Sequence, residues 1–82
     1  MTVHLLLQIE PGRAAEAVDY LGSVPDVADA VPTTGAYDVI ASVPVTSEAA
    51  LSRALAAARR TPGLFALRVC LPTAREASRA AS

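Results

Sequence analysis

Two short proline corners constrain this chain more than any other feature. Val24-Pro25-Asp26-Val27 and Thr61-Pro62-Gly63-Leu64 each close a stretch of helical period and each open a β-prone run. Proline has no N–H to continue a helix or to donate to a ladder, so each corner marks the passage from helix to strand. A chain that makes this passage twice, with a strand before each helix, reads as β-α-β-β-α-β. That is a duplicated split β-α-β unit, the ferredoxin-like α+β pattern, with one antiparallel sheet in the order 4-1-3-2.

The periods between the corners agree with this order. Residues 3–9 alternate as a strand, with Val3, Leu5, Leu7 and Ile9 on one face and His4, Leu6, Gln8 and Glu10 on the other. Glu10-Pro11-Gly12 stops it, and Pro11 leads into a helix over 13–21. There Ala14, Ala17, Val18 and Leu21 make the apolar stripe, Arg13, Glu16 and Asp19 face water, and Gly22 is the expected C′ residue. A second strand covers 27–33, and Pro32 within it demands a sheet edge, which the 4-1-3-2 order supplies. Gly35 then turns the chain tightly into a third strand over 37–43 that Pro44 ends. Thr46 or Ser47 caps a second helix, with Glu48 in its first turn, a Leu51, Ala54, Leu55, Ala58 stripe, and Arg59-Arg60 at its close. The fourth strand spans 64–71. Residues 73–82 are Ala-, Ser- and Arg-rich and are expected to form a loose or weakly helical tail.

Both helices cross one face of such a sheet. By parity that face takes Val3, Leu5, Leu7, Val39, Val43, Phe65, Leu67 and Val69. The open face shows His4, Leu6, Gln8, Ile40, Ser42, Ala66, Arg68 and Cys70. Leu6, Ile40, Ala66 and Cys70 form too apolar a patch to leave in water. Moreover, 52% of the 82 residues are hydrophobic, whereas a domain this small buries only about 60% of its unfolded surface. The open face is therefore expected to meet its own copy, giving a homodimer with sheets packed face to face, a dimeric α/β barrel.

The remaining chemistry is sparse. The formal net charge is −1 and the seven Lys/Arg residues are all arginine, with Arg59-Arg60 and Arg68 the only candidates for a basic patch. Arg59-Arg60 read as a solvated helix end, so direct nucleic-acid binding is not expected. The lone Cys70 excludes an internal disulfide and suits a reducing cytoplasm. Leu5-Leu6-Leu7 is too short for a signal peptide or a membrane span. His4 and Cys70 share the open face, but a nucleophile–base pair needs a third, orienting group, and buried cysteine usually serves as a small hydrophobe. A lone imidazole makes no metal cluster. Asp38, beside a glycine turn, is read first as a cap for backbone N–H groups. No phosphate loop, CxxC pair or GxSxG elbow occurs, so neither an enzyme nor a cofactor is expected.

Thr34-Gly35-Ala36-Tyr37-Asp38-Val39-Ile40, placed between the two proline corners and after the strand closed by Glu10-Pro11-Gly12, resembles the T-G-x-Y-D signature of one family. That family is the Lrp/AsnC (feast/famine) transcription regulators, and the resemblance to their ligand-binding (RAM) domain runs over residues 3–71. It implies a domain over 1–72 that binds a small effector, an amino acid above all, between dimers near the hairpin that joins the second and third strands. By matching position the implied pocket residues are Thr33, Thr34, Gly35, Tyr37 and Asp38. It also implies dimers that associate into octamers or rings. The helix-turn-helix of full-length regulators does not precede the domain, which implies a stand-alone member that could co-assemble with full-length regulators. One departure is the fourth strand, often threonine-bearing in the family, which here carries Leu67, Arg68 and Val69. Dimeric α/β-barrel monooxygenases and ACT-type regulatory domains share the same element order and stand as the alternatives.

Overall fold

A computed structural model describes residues 1–72; the expected tail over 73–82 lies outside the described residues. The elements run β1 (Thr2–Ile9), α1 (Ala14–Gly22), β2 (Asp29–Pro32), β3 (Val39–Pro44), α2 (Glu48–Ala58) and β4 (Leu64–Cys70). All strand pairs are antiparallel and the sheet order is β2-β3-β1-β4. This is the ferredoxin-like 4-1-3-2 arrangement, with Pro32 on an edge strand.

The core lies between one sheet face and the helices. Val3, Leu5 and Leu7 of β1 and Val39, Ala41 and Val43 of β3 have no solvent exposure. They meet Ala17 and Leu21 from α1 and Ala54 and Ala58 from α2. Alanine on the buried side of both helices lets their backbones approach the sheet closely. The hydroxyl of Tyr20 donates to the Ala57 carbonyl at 2.6 Å and ties α1 to the last turn of α2. Ser47 caps α2, accepting the Ala50 N–H at 3.1 Å. The two proline corners repeat as expected: Val27 N–H donates to Val24 O at 3.0 Å, and Leu64 N–H to Thr61 O at 3.2 Å.

Several expectations need correction. Gly22 is not a left-handed C′ residue; it ends α1, and Ser23 follows in right-handed geometry with its hydroxyl on the Tyr20 carbonyl. The positive-φ glycines are Gly12, Gly35 and Gly63. Gly12 forms the turn that delays α1 to Ala14, with Arg13 as its N-cap. The buried line of α2 runs through Ala50, Ala54 and Ala58, with Leu51 and Leu55 beside it half-buried. The largest departure is in β4. Gln8 pairs with Ala66 but Ile9 pairs with Leu64, so Phe65 is an unpaired extra residue in a β-bulge. The bulge moves Leu64 into the core's margin and leaves Phe65 79% exposed, not buried under the helices. Val69 does pair with Leu5 on the helix side, yet at the sheet edge it stays 37% exposed.

Candidate functional site

The loop joining β2 to β3 is held as one unit at the end of β1. The expected tight turn is in fact a longer loop over 33–38, with Gly35 at φ +102° and nothing near a would-be Cβ. Thr33 N–H donates to Asp38 O at 2.8 Å, and the Thr33 hydroxyl donates to Tyr37 O at 2.9 Å. These bonds close the loop across its base. Asp38 then fastens it to β1: its N–H donates to Leu7 O at 2.9 Å and its Oδ2 accepts the Ile9 N–H at 2.7 Å. The Gln8 amide donates to Ala36 O at 3.0 Å and adds a third tie. Asp38 thus caps backbone as its position beside the glycine predicts, although the N–H it caps belongs to a distant strand.

Next to this clamp lies an open recess lined by Gln8, Ile9, Glu10, Pro11, Gly35, Ala36, Asp38 and Phe65. Two of the five pocket residues implied by the family motif, Gly35 and Asp38, line it. Thr33, Thr34 and Tyr37 do not; Thr33 and Tyr37 instead brace the loop. The residues that sequence reasoning missed are Phe65, presented by the bulge, and the end of β1. Only the register of β4 could have revealed Phe65. The charged groups in the lining are the carboxylates of Glu10 and Asp38, so the recess favours a cationic group. Arg13 borders it, 3.5 Å from Glu10 and 3.1 Å from Glu16. The hydrogen bond from Arg13 is the main reason the Glu16 carboxyl is held below its ordinary value; Coulomb attraction adds to it, and desolvation opposes it.

The eight residues expected on the open face do share it. Asp29, Ser42, His4 and Cys70 form one row across the sheet, and Val31, Ile40, Leu6 and Arg68 form the next. Gln8 and Ala66 pair in the third. Asp29 and Val31 are additions, because β2 gives no alternation from which its parity could be read. His4 Nδ1 lies 3.4 Å from the Ser42 hydroxyl, and Cys70 is its partner on the other side. Leu6, Ile40, Ala66 and Cys70 are half-buried in the single chain, while Val31 is exposed. Among the described residues no group of three or more His, Cys, Asp or Glu could hold a metal ion, and no helix is long and apolar enough to cross a membrane.

No family model matches the sequence, and no curated protein matches it. Solved structures do match the fold. TTHA0845 from Thermus thermophilus superposes with a TM-score of 0.80 at 20% identity, over 88% of this chain and 91% of that one. AsnC of E. coli gives 0.73 at 20% identity, over 83% of this chain and 47% of that one. The transcriptional regulator NMB0573 from Neisseria meningitidis, solved as a complex with L-Met, gives 0.67 at 17% identity, over 83% and 46%. This chain therefore spans nearly all of the Thermus protein and about half of the two larger ones. The fold that the T-G-x-Y-D hairpin and the proline corners lead one to expect, that of the Lrp/AsnC ligand-binding domain, is the fold observed.

Proposed function

We propose that residues 1–72 form a non-catalytic effector-binding and oligomerisation module of the Lrp/AsnC type, acting in the cytoplasm on an amino acid and not itself contacting DNA. The observation that carries this reading is the clamped loop over 33–38. Three ties from β1 hold a glycine-centred loop beside a recess whose charged lining is acidic. An amino acid presents an ammonium and a carboxylate a few ångströms apart. The Asp38 oxygen not engaged by Ile9 receives the ammonium, and backbone N–H groups around Gly35 receive the carboxylate, with Thr33, Thr34 and Tyr37 shaping the loop that presents them. The fold shared with a regulator solved with L-Met supports this chemistry. The module works as a homodimer through the open face, and dimers assemble further into an octamer or ring, or with full-length regulators.

The test is a panel of amino acids scored by thermal shift and by light scattering after size exclusion. One or a few amino acids raise the melting temperature logarithmically with their concentration, reaching about 2.7 kcal/mol of stabilisation at a hundred times Kd. Asp38→Asn keeps an acceptor for the Ile9 N–H but removes the charge, and it weakens that shift. A melting curve left unchanged by every amino acid would refute the sensor reading.

A further inference from the structure

Among the strand residues paired across the open face two are charged, and they sit at opposite edges of the sheet; Glu10 and Asp38 lie beyond the paired rows, at the recess. Asp29 is on β2, at the end of the row that continues through Ser42 and His4 to Cys70. Arg68 is on β4, at the other end of the neighbouring row through Leu6 and Ile40 to Val31. Both are exposed, and among the described residues neither takes part in an ion pair. The ion pairs among the described residues lie on the helices and their flanking loops: Arg13 with Glu10 and Glu16, Arg53 with Asp26.

We infer that Asp29 and Arg68 are the two halves of an intersubunit ion pair, made twice, that fixes how a second copy of this chain lies on the open face. The inference rests on the face-to-face dimer proposed above and specifies its orientation. A two-fold axis parallel to the strands lays β2 of one copy over β4 of the other and returns each row onto itself. Asp29 then lies one row from the second copy's Arg68, about 7 Å along the strand, across sheets about 10 Å apart. The long arginine side chain spans that diagonal. The same operation lays β1 of one copy over β3 of the other, so Leu6 of each copy meets Ile40 of the second copy and the apolar centre closes between the two pairs. A two-fold axis perpendicular to the strands, still within the sheet plane, stacks β2 on β2 and β4 on β4, so that each charge meets its like. Like charges across an interface oppose association, so the face selects the first orientation against the second.

Charge reversal tests this directly. Asp29→Arg sets cation against cation in both contacts of a homodimer, and Arg68→Asp sets carboxylate against carboxylate. Each variant alone is expected to dimerise on the order of tenfold or more weakly than the wild type by analytical ultracentrifugation. Mixed together, the two variants make both contacts complementary across unlike chains, one in the native sense and one with the charges exchanged, and form a heterodimer in preference to either homodimer. The double variant Asp29→Arg/Arg68→Asp restores the homodimer and guards against a folding defect in either single chain. Raised salt weakens the wild-type dimer and relieves the single variants. Single variants that dimerise as tightly as the wild type, or a double variant that recovers nothing, overturn the ion pair while leaving the dimer standing. A wild-type chain monomeric at all concentrations overturns the dimer itself.

Discussion

The two faces of the sheet are built from the same strands and differ in kind. On the helix side, β1 and β3 contribute Val3, Leu5, Leu7, Val39, Ala41 and Val43, all without exposure and all aliphatic. On the open side the same strands contribute His4, Leu6, Gln8, Ile40 and Ser42, a mixture of apolar and hydrogen-bonding groups that is half-buried or exposed in the single chain. The first composition is that of a core, where shape alone decides. The second is the composition that the proposed dimer interface needs, apolar at its centre with polar groups around it. One face therefore holds the fold and the other is free to serve recognition.

Neighbouring residues on β1 put the sharpest test to that difference. Leu7→Ala opens a cavity between sheet and helices and is expected to cost about 2–5 kcal/mol of folding stability, read by denaturant unfolding. Leu6→Ala, one residue away on the other face, leaves the stability of the isolated chain within about 0.5 kcal/mol. Its effect falls on association, visible as a melting temperature that no longer rises with protein concentration. Equal losses from the two substitutions would abolish the distinction between the faces.

Asp38 tests the border where the two faces end. Its carboxylate accepts the Ile9 N–H just where β1 leaves the sheet. Removing it in Asp38→Ala orphans that amide and frees the loop, at an expected cost of about 1.5–3 kcal/mol, because the bond is charge-assisted. Hydrogen exchange at Ile9 is the direct readout, and it accelerates well before global unfolding. Unchanged protection there would mean that the loop is held by Gln8 and Leu7 alone.

How much of this was legible in the residues follows the same division. The two-residue period of β1, with His4 and Gln8 on one side and only aliphatic residues on the other, determined which side chains enter the core and which form the open face, and the proline corners determined the order of elements. The register of β4 was not legible. Its parity from Ala66 onward is right, but the bulge at Phe65 depends on how Glu10 N–H meets the Gly63 carbonyl at 2.8 Å, a tertiary contact. Gly63, at φ +74° with a would-be Cβ 3.1 Å from Arg13, is where the chain makes that approach possible. The lining of the recess was not legible for the same reason. A motif names consecutive residues, whereas the recess takes only some of them from the loop and adds Phe65 and the end of β1 from elsewhere. Asp29 and Val31 escaped notice on the open face because β2 is only Asp29–Pro32, too short to show a period.

The smallest effect belongs to a third surface, the water-facing side of the helix layer, and it sharpens the contrast by showing what charges do when they have no partner to find. Arg13 donates to both oxygens of Glu16, at 3.1 and 3.2 Å, and this holds the Glu16 carboxyl below its ordinary value. A carboxyl lowered in the folded state contributes stability that is present above its unfolded pKa and lost as pH falls through the folded one. Glu16→Gln should therefore flatten the acid limb of the stability profile slightly and leave neutral-pH association untouched, since both groups are solvent-exposed. Asp29, equally exposed but unpaired among the described residues, behaves in the opposite way: its neutralisation in Asp29→Asn leaves folding nearly unchanged and weakens the dimer. If Glu16→Gln altered dimerisation, the helix layer would have to take part in assembly, and the open face could no longer be its sole site.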